Sequence, residues 1–489
     1  MPHEKNLEKA NAAVLSLRKK INTAYYPHYH MAPYAGWMND PNGLIYFKGL
    51  YHVFYQHNPY SAEWGPMHWG HLTSEDLIHW RHHPIALAPG DNWDRDGCFS
   101  GCAVENDGKL YLVYTGHHWL GEPLDDNQIY QVQCLAVSED GFNFEKKGII
   151  VKPPADFAHF RDPKVWFQNG SWWMICGARD EKDQGQLLLY NTDDIEDWDD
   201  STFTIMFKPE DKNIFMCECP EAFFLKDKFV LIVSPQGKQS DGYSYQNLFQ
   251  SGSYIGEWTP GDDFTNYTRF TEMDLGHDFY GPQTLVAPDG RRILIGWMNM
   301  WESNMPTKDH NWSGLLTVPR EVTIDEETGK LICVPIRELV SIRQEHVYIP
   351  PQYFQNNSQM RLVDNCSACE VNIMWGLENS TAEKYGLWLG KGLEIFVDNQ
   401  AKRLVVNRNY SEHVISGYRS CPLPNSPYLQ LQIFFDCSSV EVFVNNGVAV
   451  LTSRIYPQHG DRALSAFSIN GQACLVQCDI WGLAKAIAV

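Results

Sequence analysis

The stretch YFKGLYHVFYQHNP, residues 46–59, has a glycine turn followed by a run of apolar and aromatic residues, and this pattern recurs along the chain. Four similar stretches follow: ENDGKLYLVYTGH (105–117), FQNGSWWMICGARD (167–180), FLKDKFVLIVSPQG (224–237) and APDGRRILIGWMNM (287–300). Their turn residues, Gly49, Gly108, Gly170, Asp227 and Gly290, are spaced by 59, 62, 57 and 63 residues. Such a repeat has room for four short strands joined by hairpin turns, and strongly periodic helical segments are absent between the repeats.

Four-stranded units that repeat and close radially form a β-propeller, so five repeats predict five blades. The spacing alone leaves open a generic all-β chain with evenly placed hairpins. The C-terminal part has short segments in which apolar and polar residues alternate, as strands require. The clearest is VEVFVNNGVAV (440–450), where Asn446-Gly447 is a hairpin turn. Many short strands of this kind predict a β-sandwich. The predicted all-β chain has a helical lead-in at 1–29, a five-bladed propeller at 30–335, a linker at 336–352 and a sandwich at 353–489.

Composition narrows the classes of partner. The chain has 489 residues, 44% of them hydrophobic and 20% charged, which indicates a globular protein of two domains. A net charge of -21 argues against nucleic acid and anionic membranes as partners. No apolar run is long enough to span a bilayer, and residues 1–22 lack the apolar core of a signal peptide.

Asparagines and cysteines bear on the compartment and on metals. Seven Asn-x-Ser/Thr sequons favour a secretory origin, so we predict a secreted protein whose leader was removed before Met1, with a cytoplasmic location as the alternative. Thirteen cysteines include a single Cys-x-x-Cys pair, Cys366 and Cys369, with no second pair at zinc spacing. We therefore predict buried thiols and no metal site.

Three acidic residues share one phase of the repeat. Asp40, Asp162 and Glu218 lie nine, eight and nine residues before the turn residue of their own repeat. In a closed propeller, equivalent positions surround one axis, so we expect the three carboxylates to converge at one end of it. Converging carboxylates suit glycoside hydrolysis and would equally suit a Ca²⁺ site, whereas any one of them alone is a common turn residue. The same phase of the other two repeats holds Phe99, Ser100 and Tyr280.

The motifs that carry these carboxylates resemble those of a known family. WMNDPNG (37–43), FRDP (160–163) and ECP (218–220), in that order, are similar to the three carboxylate motifs of glycoside hydrolase family 32, the invertases and β-fructofuranosidases. YHVFYQHNP (51–59), WGPMHWGH (64–71), FSG (99–101) and DFYGPQ (278–283) also match. The similarity runs from about Tyr26 to the C-terminus and looks closest to the bacterial sucrose-hydrolase branch. The family fold is a five-bladed propeller followed by a β-sandwich, which agrees with the repeats.

The resemblance implies roles for the carboxylates. Asp40 would be the nucleophile that attacks the fructosyl unit, Glu218 the acid and then the base, and Asp162 the residue that holds fructosyl hydroxyls. The implied enzyme is a retaining β-fructofuranosidase that hydrolyses sucrose through a covalent fructosyl-enzyme, with no cofactor and no metal. Short fructo-oligosaccharides are further substrates of this class. The implied substrate-binding residues are Asn39, Gln56, Trp64, Phe99, Ser100, Arg161 and Tyr280, with Trp37 and Trp297 as additional liners whose alternative is plain propeller core.

Alternatives remain open at this point. A carbohydrate-binding module would explain the aromatics but has no need for three phased carboxylates. Within the family, a fructosyltransferase, a fructan exohydrolase and a sucrose-6-phosphate hydrolase are the other candidates, although the matched motifs contain no basic cluster for a phosphate. Two departures, Cys217 before the catalytic Glu and Glu221 after the Pro, put leaving-group specificity in doubt. Residues 353–489 carry no matched catalytic motif, so we expect them to contribute folding stability.

Overall fold

The computed structural model describes residues 2–125, 127–410, 417–458 and 460–488. Over these residues the regular structure is mostly β-strand, with one α-helix, α1 (Pro2–Arg18), and two 3-10 helices, Pro306–His310 and Arg337–Ile342. None of the described helices has the length and apolar character needed to cross a bilayer. The all-β prediction is therefore confirmed.

Five sheets follow one another along the chain as the blades of the predicted propeller. Blade 1 consists of β1 (Gly36–Phe47), β2 (Leu50–Asn58), β3 (His68–Ser74) and β4 (Arg81–Leu87), and blade 2 of β5 (Gly97–Asn106), β6 (Lys109–Trp119), β7 (Ile129–Ser138) and β8 (Glu145–Val151). Blade 3 consists of β9 (Phe157–Gln168), β10 (Ser171–Asp180), β11 (Gly185–Thr192) and β12 (Thr204–Phe207), and blade 4 of β13 (Met216–Leu225), β14 (Lys228–Gln236), β15 (Gly252–Gly256) and β16 (Thr271–Glu272). Blade 5 consists of β17 (Tyr280–Val286), β18 (Arg292–Trp297), β20 (Arg320–Ile324) and β21 (Leu331–Pro335).

The repeated turn residues lie in the hairpin between the first and second strands of each blade. Gly49, Gly108, Gly170 and Gly290 have φ values of +89°, +74°, +87° and +85°. A Cβ atom at any of these four glycines would meet nothing within 4 Å, so backbone conformation, not space, favours glycine there. The hairpin of blade 4 has Asp227 where the other four have glycine, and the residue before it, Lys226, is left-handed at φ +55°. The turn pattern in the sequence thus marks the same hairpin five times.

A short strand ties the last blade to the first. β19 (Trp312–Ser313) lies in the chain between two strands of blade 5, yet it pairs in parallel with Gly36 and Trp37 of blade 1. Blade 1 is therefore five-stranded, and the closing contact involves Trp312, which is fully buried. The sequence repeat did not predict this strand, because two residues carry no readable periodicity.

Two further sheets form the predicted sandwich. One sheet has the order β22 (Arg343–Ile349), β34 (Ala473–Leu483), β25 (Cys369–Gly376), β30 (Tyr428–Asp436), β31 (Ser439–Val444) and β32 (Ala449–Arg454), with β23 (Gln352–Phe354) also paired to β34. The other has the order β24 (Ser358–Val363), β33 (Leu464–Ile469), β26 (Lys384–Leu389), β27 (Leu393–Asp398), β28 (Arg403–Asn407) and β29 (Tyr418–Pro422). Residues 336–352, predicted as a linker, contain a 3-10 helix and β22, so most of this segment is integrated into the sandwich rather than free.

Buried charges join the propeller to the sandwich. His30 contacts Asp436 and Glu441 of the sandwich at 2.9 and 2.8 Å, and all three side chains are fully buried. Burial alone would lower the pKa of His30, but its hydrogen bonds to the two carboxylates outweigh burial and raise the pKa to about 9. Arg320 of blade 5 donates to Glu441 as well as to Asp274. The two domains are thus held in a defined arrangement by paired, desolvated charges.

Candidate active site

The innermost strands place the three predicted carboxylates at one end of the propeller. Asp40 lies on β1, Asp162 on β9 and Glu218 on β13, which are the first strands of blades 1, 3 and 4. In blades 1, 3 and 4 the pairing register between the first and second strands shifts at or beside the carboxylate. In blades 2 and 5 the same register shift follows Phe99 and Tyr280. A β-bulge re-aims side chains, so one irregularity in each blade turns these residues toward the propeller axis.

A pocket of about 420 Å³ opens over the carboxylates. This size is within the range of small-ligand sites. Nine of the twelve predicted site residues line it: Asn39, Asp40, Gln56, Trp64, Phe99, Ser100, Arg161, Asp162 and Glu218. The sequence repeat and the family motifs therefore identified residues that the fold does bring together.

Asp40 is buried and has one free oxygen. Its Oδ2 accepts a hydrogen bond of 2.9 Å from Ser100 Oγ, whereas Oδ1 accepts none from a described residue. Burial, followed by the negative charges of Glu218 and Asp162, raises the pKa of Asp40 to about 7. A carboxylate in this state is poorly solvated, which makes it a reactive base or nucleophile once it is ionised.

Glu218 lies among hydrogen-bond donors. Arg161 donates to its Oε1 through Nη2 at 2.7 Å and Nε at 3.1 Å. Its Oε2 accepts from Gln236 Nε2 at 2.9 Å and from the Tyr280 hydroxyl at 2.6 Å. The two carboxyl oxygens are thus held in fixed directions by four donors, as the positioning of an acid–base catalyst requires.

Asp162 is fixed by the chain that carries Glu218. Its backbone is left-handed, with φ at +64°, and its Oδ2 accepts a hydrogen bond of 3.0 Å from the backbone N–H of Cys219. Burial and the charge of Glu218 raise the pKa of Asp162 to about 6, although Arg161 opposes this effect. The Cys219 thiol lies 3.7 Å from Asp40 Oδ2 and 3.8 Å from Asp162 Oδ2, so it bridges the two carboxylates.

Three predicted site residues lie behind the pocket lining. Tyr280 is fully buried and reaches the site only through its hydroxyl group. Trp37 is also buried, and its Nε1 donates to Asn39 Oδ1 at 2.7 Å, which orients that amide. Trp297 packs against Trp37 and Trp301 at ring-centroid distances of 6.0 and 4.8 Å. Trp37 and Trp297 thus support the wall from behind, whereas Trp301 lines the pocket.

Other lining residues were missed by the sequence analysis. They are Met67, His117, Trp119, Leu124, Ile129, Gln131, His159, Arg179, Phe215, Gln236, Phe249, Trp301 and Glu302. His117, Arg179 and Gln236 each lie nine residues after the turn residue of their repeat, near the end of the second strand. The sequence repeat could therefore have predicted these three residues if it had been applied to the second strand of each blade as well as to the first.

The two departures from the family pattern do not enter the pocket. Cys217 is fully buried among apolar side chains between blades 3 and 4, because neighbouring residues of a strand point in opposite directions. Glu221 is buried as well, and it pairs with Lys164 at 2.9 Å and accepts a hydrogen bond of 2.6 Å from Thr284. Neither residue lines the pocket, and their effect on leaving-group specificity stays a prediction.

Metal binding was the other chemistry open to converging carboxylates. Among the described residues, no group of three or more His, Cys, Asp or Glu side chains has the arrangement to hold a metal ion. Instead, the guanidinium of Arg161 lies beside Glu218 as the nearest fixed cation.

Comparisons with known proteins agree with this geometry. The model of the Glycosyl hydrolases family 32 N-terminal domain matches residues 30–335, and that of the Glycosyl hydrolases family 32 C terminal matches residues 338–482. A sucrose-6-phosphate hydrolase of Escherichia coli is 50% identical over 481 residues, which cover 98% of this chain and 99% of that protein. A raffinose invertase of Escherichia coli is 49% identical over 480 residues, which cover 98% and 100%.

A solved structure extends the likeness to three dimensions. The GH32 beta-fructofuranosidase of Bombyx mori superposes with a TM-score of 0.86 at 32% identity, over 99% of this chain and 100% of that chain. The two family models together span nearly the whole sequence, including all three carboxylate motifs. The chain belongs to glycosyl hydrolases family 32.

Proposed function

We propose that this glycosidase is a retaining β-fructofuranosidase that hydrolyses sucrose to glucose and fructose. The observation that carries the proposal is the buried cluster of Asp40, Asp162 and Glu218, in which one oxygen of Asp40 is free and Glu218 is held by four donors. Relatives named for the hydrolysis of sucrose-6-phosphate and of raffinose support a β-fructoside as substrate.

The proposed reaction has two displacement steps. Asp40 Oδ1 attacks the anomeric carbon of the fructosyl unit, the glycosidic C–O bond breaks, and Glu218 gives its proton to the departing glucose oxygen. Glu218, now ionised, takes a proton from water, and the resulting hydroxide displaces Asp40 from the same carbon. Two inversions give net retention, and the enzyme returns to its starting protonation state.

Protonated Glu218 fits the observed contacts with one adjustment. Four donors surround the carboxyl group in the free site, which suits the ionised form. A hydroxyl group can accept as well as donate, so Tyr280 can reverse its hydrogen bond when Glu218 is protonated. Asp162 takes no part in bond making and instead accepts hydrogen bonds from fructosyl hydroxyls, beside the developing positive charge.

Analysis of the reaction products distinguishes the proposed sucrose hydrolase from a fructosyltransferase and from a fructan exohydrolase. Equal amounts of glucose and fructose from sucrose, with fructose released first as the β-anomer in an NMR time course, support a retaining hydrolase. Glucose in excess over fructose, with oligosaccharides as the balance, would identify a fructosyltransferase. Faster release of fructose from inulin or levan than from sucrose would identify an exohydrolase.

We propose unphosphorylated sucrose as the preferred substrate. The arginines that line the pocket are Arg161, which pairs with Glu218, and Arg179, which donates to the Phe215 carbonyl and lies 3.9 Å from Asp183. No lysine is among the described lining residues. A phosphate dianion would therefore enter a pocket with several carboxylates and arginines that already have partners. The second candidate, a sucrose-6-phosphate hydrolase, rests on the name of a relative at 50% identity.

Steady-state kinetics on sucrose and on sucrose 6-phosphate tests this preference. We expect kcat/KM for sucrose to equal or exceed that for sucrose 6-phosphate, because the phosphate has no unpaired lysine to meet in the pocket. If no cationic side chain binds the phosphate, added salt should change the ratio of the two kcat/KM values little. A preference for the phosphate of tenfold or more would overturn the assignment, and loss of that preference in Arg179→Gln would locate the phosphate site.

The raised pKa of Asp40 predicts the acid limb of the pH profile. Only the ionised carboxylate can attack, so kcat/KM for sucrose should fall about tenfold per pH unit below about 7. Because the three carboxyl groups interact, the midpoint belongs to the cluster as a whole. Ser100→Ala removes a hydrogen bond that lowers the pKa of Asp40, so the limb of this variant should move to higher pH. A profile that stays flat between pH 5 and 8 would contradict the prediction.

The cysteines favour the cytoplasmic alternative over secretion. All thirteen are free thiols, and twelve of them are buried. Secreted proteins commonly pair their cysteines, whereas reducing compartments keep them as thiols. We therefore propose a reducing compartment as the place of action, which cell fractionation followed by a sucrose assay checks.

A further inference from the structure

We propose that a cavity between the N-terminal lead-in and the sandwich is a binding site for a phosphate dianion, either free or carried by a small sugar. The cavity has a volume of about 610 Å³ and shares no lining residue with the active-site pocket. It is lined by residues within 23–28 and 364–367, together with Cys437, Gly460, Arg462 and Lys485. The proposed reaction does not use this cavity, so the inference is independent of the substrate.

Three separate parts of the chain meet at the cavity. The carboxylate of Asp436 accepts a hydrogen bond of 2.8 Å from the backbone N–H of His28, which ties the lead-in to the sandwich. The backbone N–H of Ala486 donates to the His28 carbonyl at 2.8 Å, and that of Cys366 donates to the Arg462 carbonyl at 2.8 Å. Main-chain hydrogen bonds therefore fix the frame from which the cationic side chains extend.

Arg462 is the residue that indicates a ligand. It is only 9% exposed, and its Nη1 is buried without a hydrogen-bond partner. Its guanidinium forms no ion pair with a described carboxylate. A guanidinium has five N–H donors, and burying one without an acceptor is costly because the charge loses its hydration. A phosphate in the cavity would remove this cost, since its oxygens match the guanidinium in geometry and in charge.

Lys485 and His28 supply further donors to the same cavity. The Lys485 side chain is exposed and has no ion-pair partner among the described residues. Burial and the positive charges of Lys485 and Arg462 lower the pKa of His28, although Asp436 opposes them. The His28 ring is therefore neutral near pH 7, with one N–H to donate. The two positive charges match the charge of about −1.5 to −2 that a phosphate monoester carries at neutral pH.

The acidic residues around the cavity already have partners. Asp364 lines the cavity, but its side chain is exposed and pairs with Arg361 at 3.2 Å. Asp436 is not part of the lining, and its Oδ2 pairs with the ring of His30 at 2.9 Å. On a chain with a net charge of -21, two cations without carboxylate partners in one cavity favour an anionic ligand over a neutral one.

Calorimetric titration of the full-length protein with inorganic phosphate tests the proposal. We expect one site per chain with a Kd of about 1 mM or tighter, in about 0.1 M NaCl to screen unspecific attraction. Lys485→Gln should weaken binding about fivefold or more, because a charge-assisted hydrogen bond is lost. Arg462→Gln should abolish detectable binding, since it removes the buried donor.

Lys391→Gln is the matched control for Lys485→Gln. Lys391 is exposed on the turn between β26 and β27, outside the cavity lining, and its replacement changes the net charge by the same amount. The Kd for phosphate should be unchanged in this control. Neither lysine lines the active-site pocket, so kcat/KM on sucrose should equal the wild-type value in both variants. If Arg462→Gln does not fold, the comparison of the two lysine variants decides.

Titration with glucose 6-phosphate and with citrate identifies the source of the anion. Tighter binding of glucose 6-phosphate than of inorganic phosphate would show that the cavity takes a phosphorylated sugar, and the reverse order would show a site for free phosphate. Either order supports the proposal if Lys485→Gln weakens the binding of both. Citrate bound more tightly than both phosphates would overturn the assignment to phosphate, because citrate has only carboxylates.

Three further outcomes would overturn the proposal. No binding to the wild type at about 10 mM phosphate would mean that water alone fills the cavity. Equal weakening in Lys485→Gln and Lys391→Gln would reveal unspecific attraction to positive charge. Binding that Arg179→Gln abolishes and Lys485→Gln leaves unchanged would place the anion in the active-site pocket, which Arg179 lines.

Discussion

Asp40→Asn is expected to leave the protein folded and to lower kcat on sucrose by at least about 10⁴-fold, because an amide cannot form the fructosyl ester. Asparagine is as good a turn former as aspartate, so a purely structural role for Asp40 would make the change nearly harmless. The Ser100 hydroxyl can still donate to the amide oxygen, so the local hydrogen bond survives. The measurement is kcat on sucrose and on p-nitrophenyl β-fructofuranoside, and we expect both values to fall by this factor.

The pH dependence of unfolding supplies the control for Asp40→Asn. Burial raises the pKa of Asp40 to about 7 in the folded protein, above its ordinary value of 3.8. The folded state therefore binds more protons than the unfolded state between about pH 4 and 7, and the ionised carboxylate destabilises the fold above pH 7. Asn carries no charge, so the variant should unfold at a higher temperature than the wild type at pH 8 and at a similar temperature below pH 4.

Near-normal sucrose hydrolysis by a folded Asp40→Asn variant would contradict the proposed mechanism. A lower unfolding temperature at pH 8 would show instead that the carboxylate stabilises the fold. If sucrose hydrolysis were near normal as well, Asp40 would be a structural anchor for β1, and its free oxygen would have no catalytic role.

The blades could be predicted because their turns repeat. A hairpin with a left-handed residue needs Gly or a tolerant polar residue at one position, so the sequence repeats wherever the backbone repeats. The same periodicity placed Asp40, Asp162 and Glu218 together, since equivalent strand positions meet at the propeller axis. What did not repeat could not be found this way: β19 pairs across the ring closure, and Leu275 and Asp278, just before β17, bond to the sandwich and not to a blade.

The pocket was only partly predictable, because the sequence does not show which side chains face the pocket and which face the core. Trp37 lies two residues before Asn39 and Trp297 ends β18, yet both side chains point into the core, and Cys217 does the same beside Glu218. A bulge in each first strand decides which residues face the axis, and sequence motifs do not show on which side of a bulge a residue emerges. Trp301 follows β18 in a loop, where no strand periodicity applies.

Glu218→Gln is the second change with a large expected effect, and its effect depends on the substrate. Glucose is a poor leaving group that needs a proton, and Gln has none to give, so kcat/KM on sucrose should fall about 10²–10⁴-fold. p-Nitrophenolate leaves without a proton, so kcat/KM on p-nitrophenyl β-fructofuranoside should stay within about tenfold of the wild-type value. Gln keeps the acceptor oxygen for Arg161, which preserves the local geometry.

The second step gives Glu218→Gln a further signature. Without a base to activate water, the fructosyl ester on Asp40 should accumulate, so nitrophenolate should appear as a burst of about one equivalent per enzyme before slow turnover. Azide needs no deprotonation to attack, so adding it should speed turnover of the aryl fructoside by Glu218→Gln and leave the folded Asp40→Asn variant inactive. A Glu218→Gln variant that loses the same factor on both substrates and shows no burst would transfer the acid–base role away from Glu218, and Asp162 would then be the carboxyl group to test.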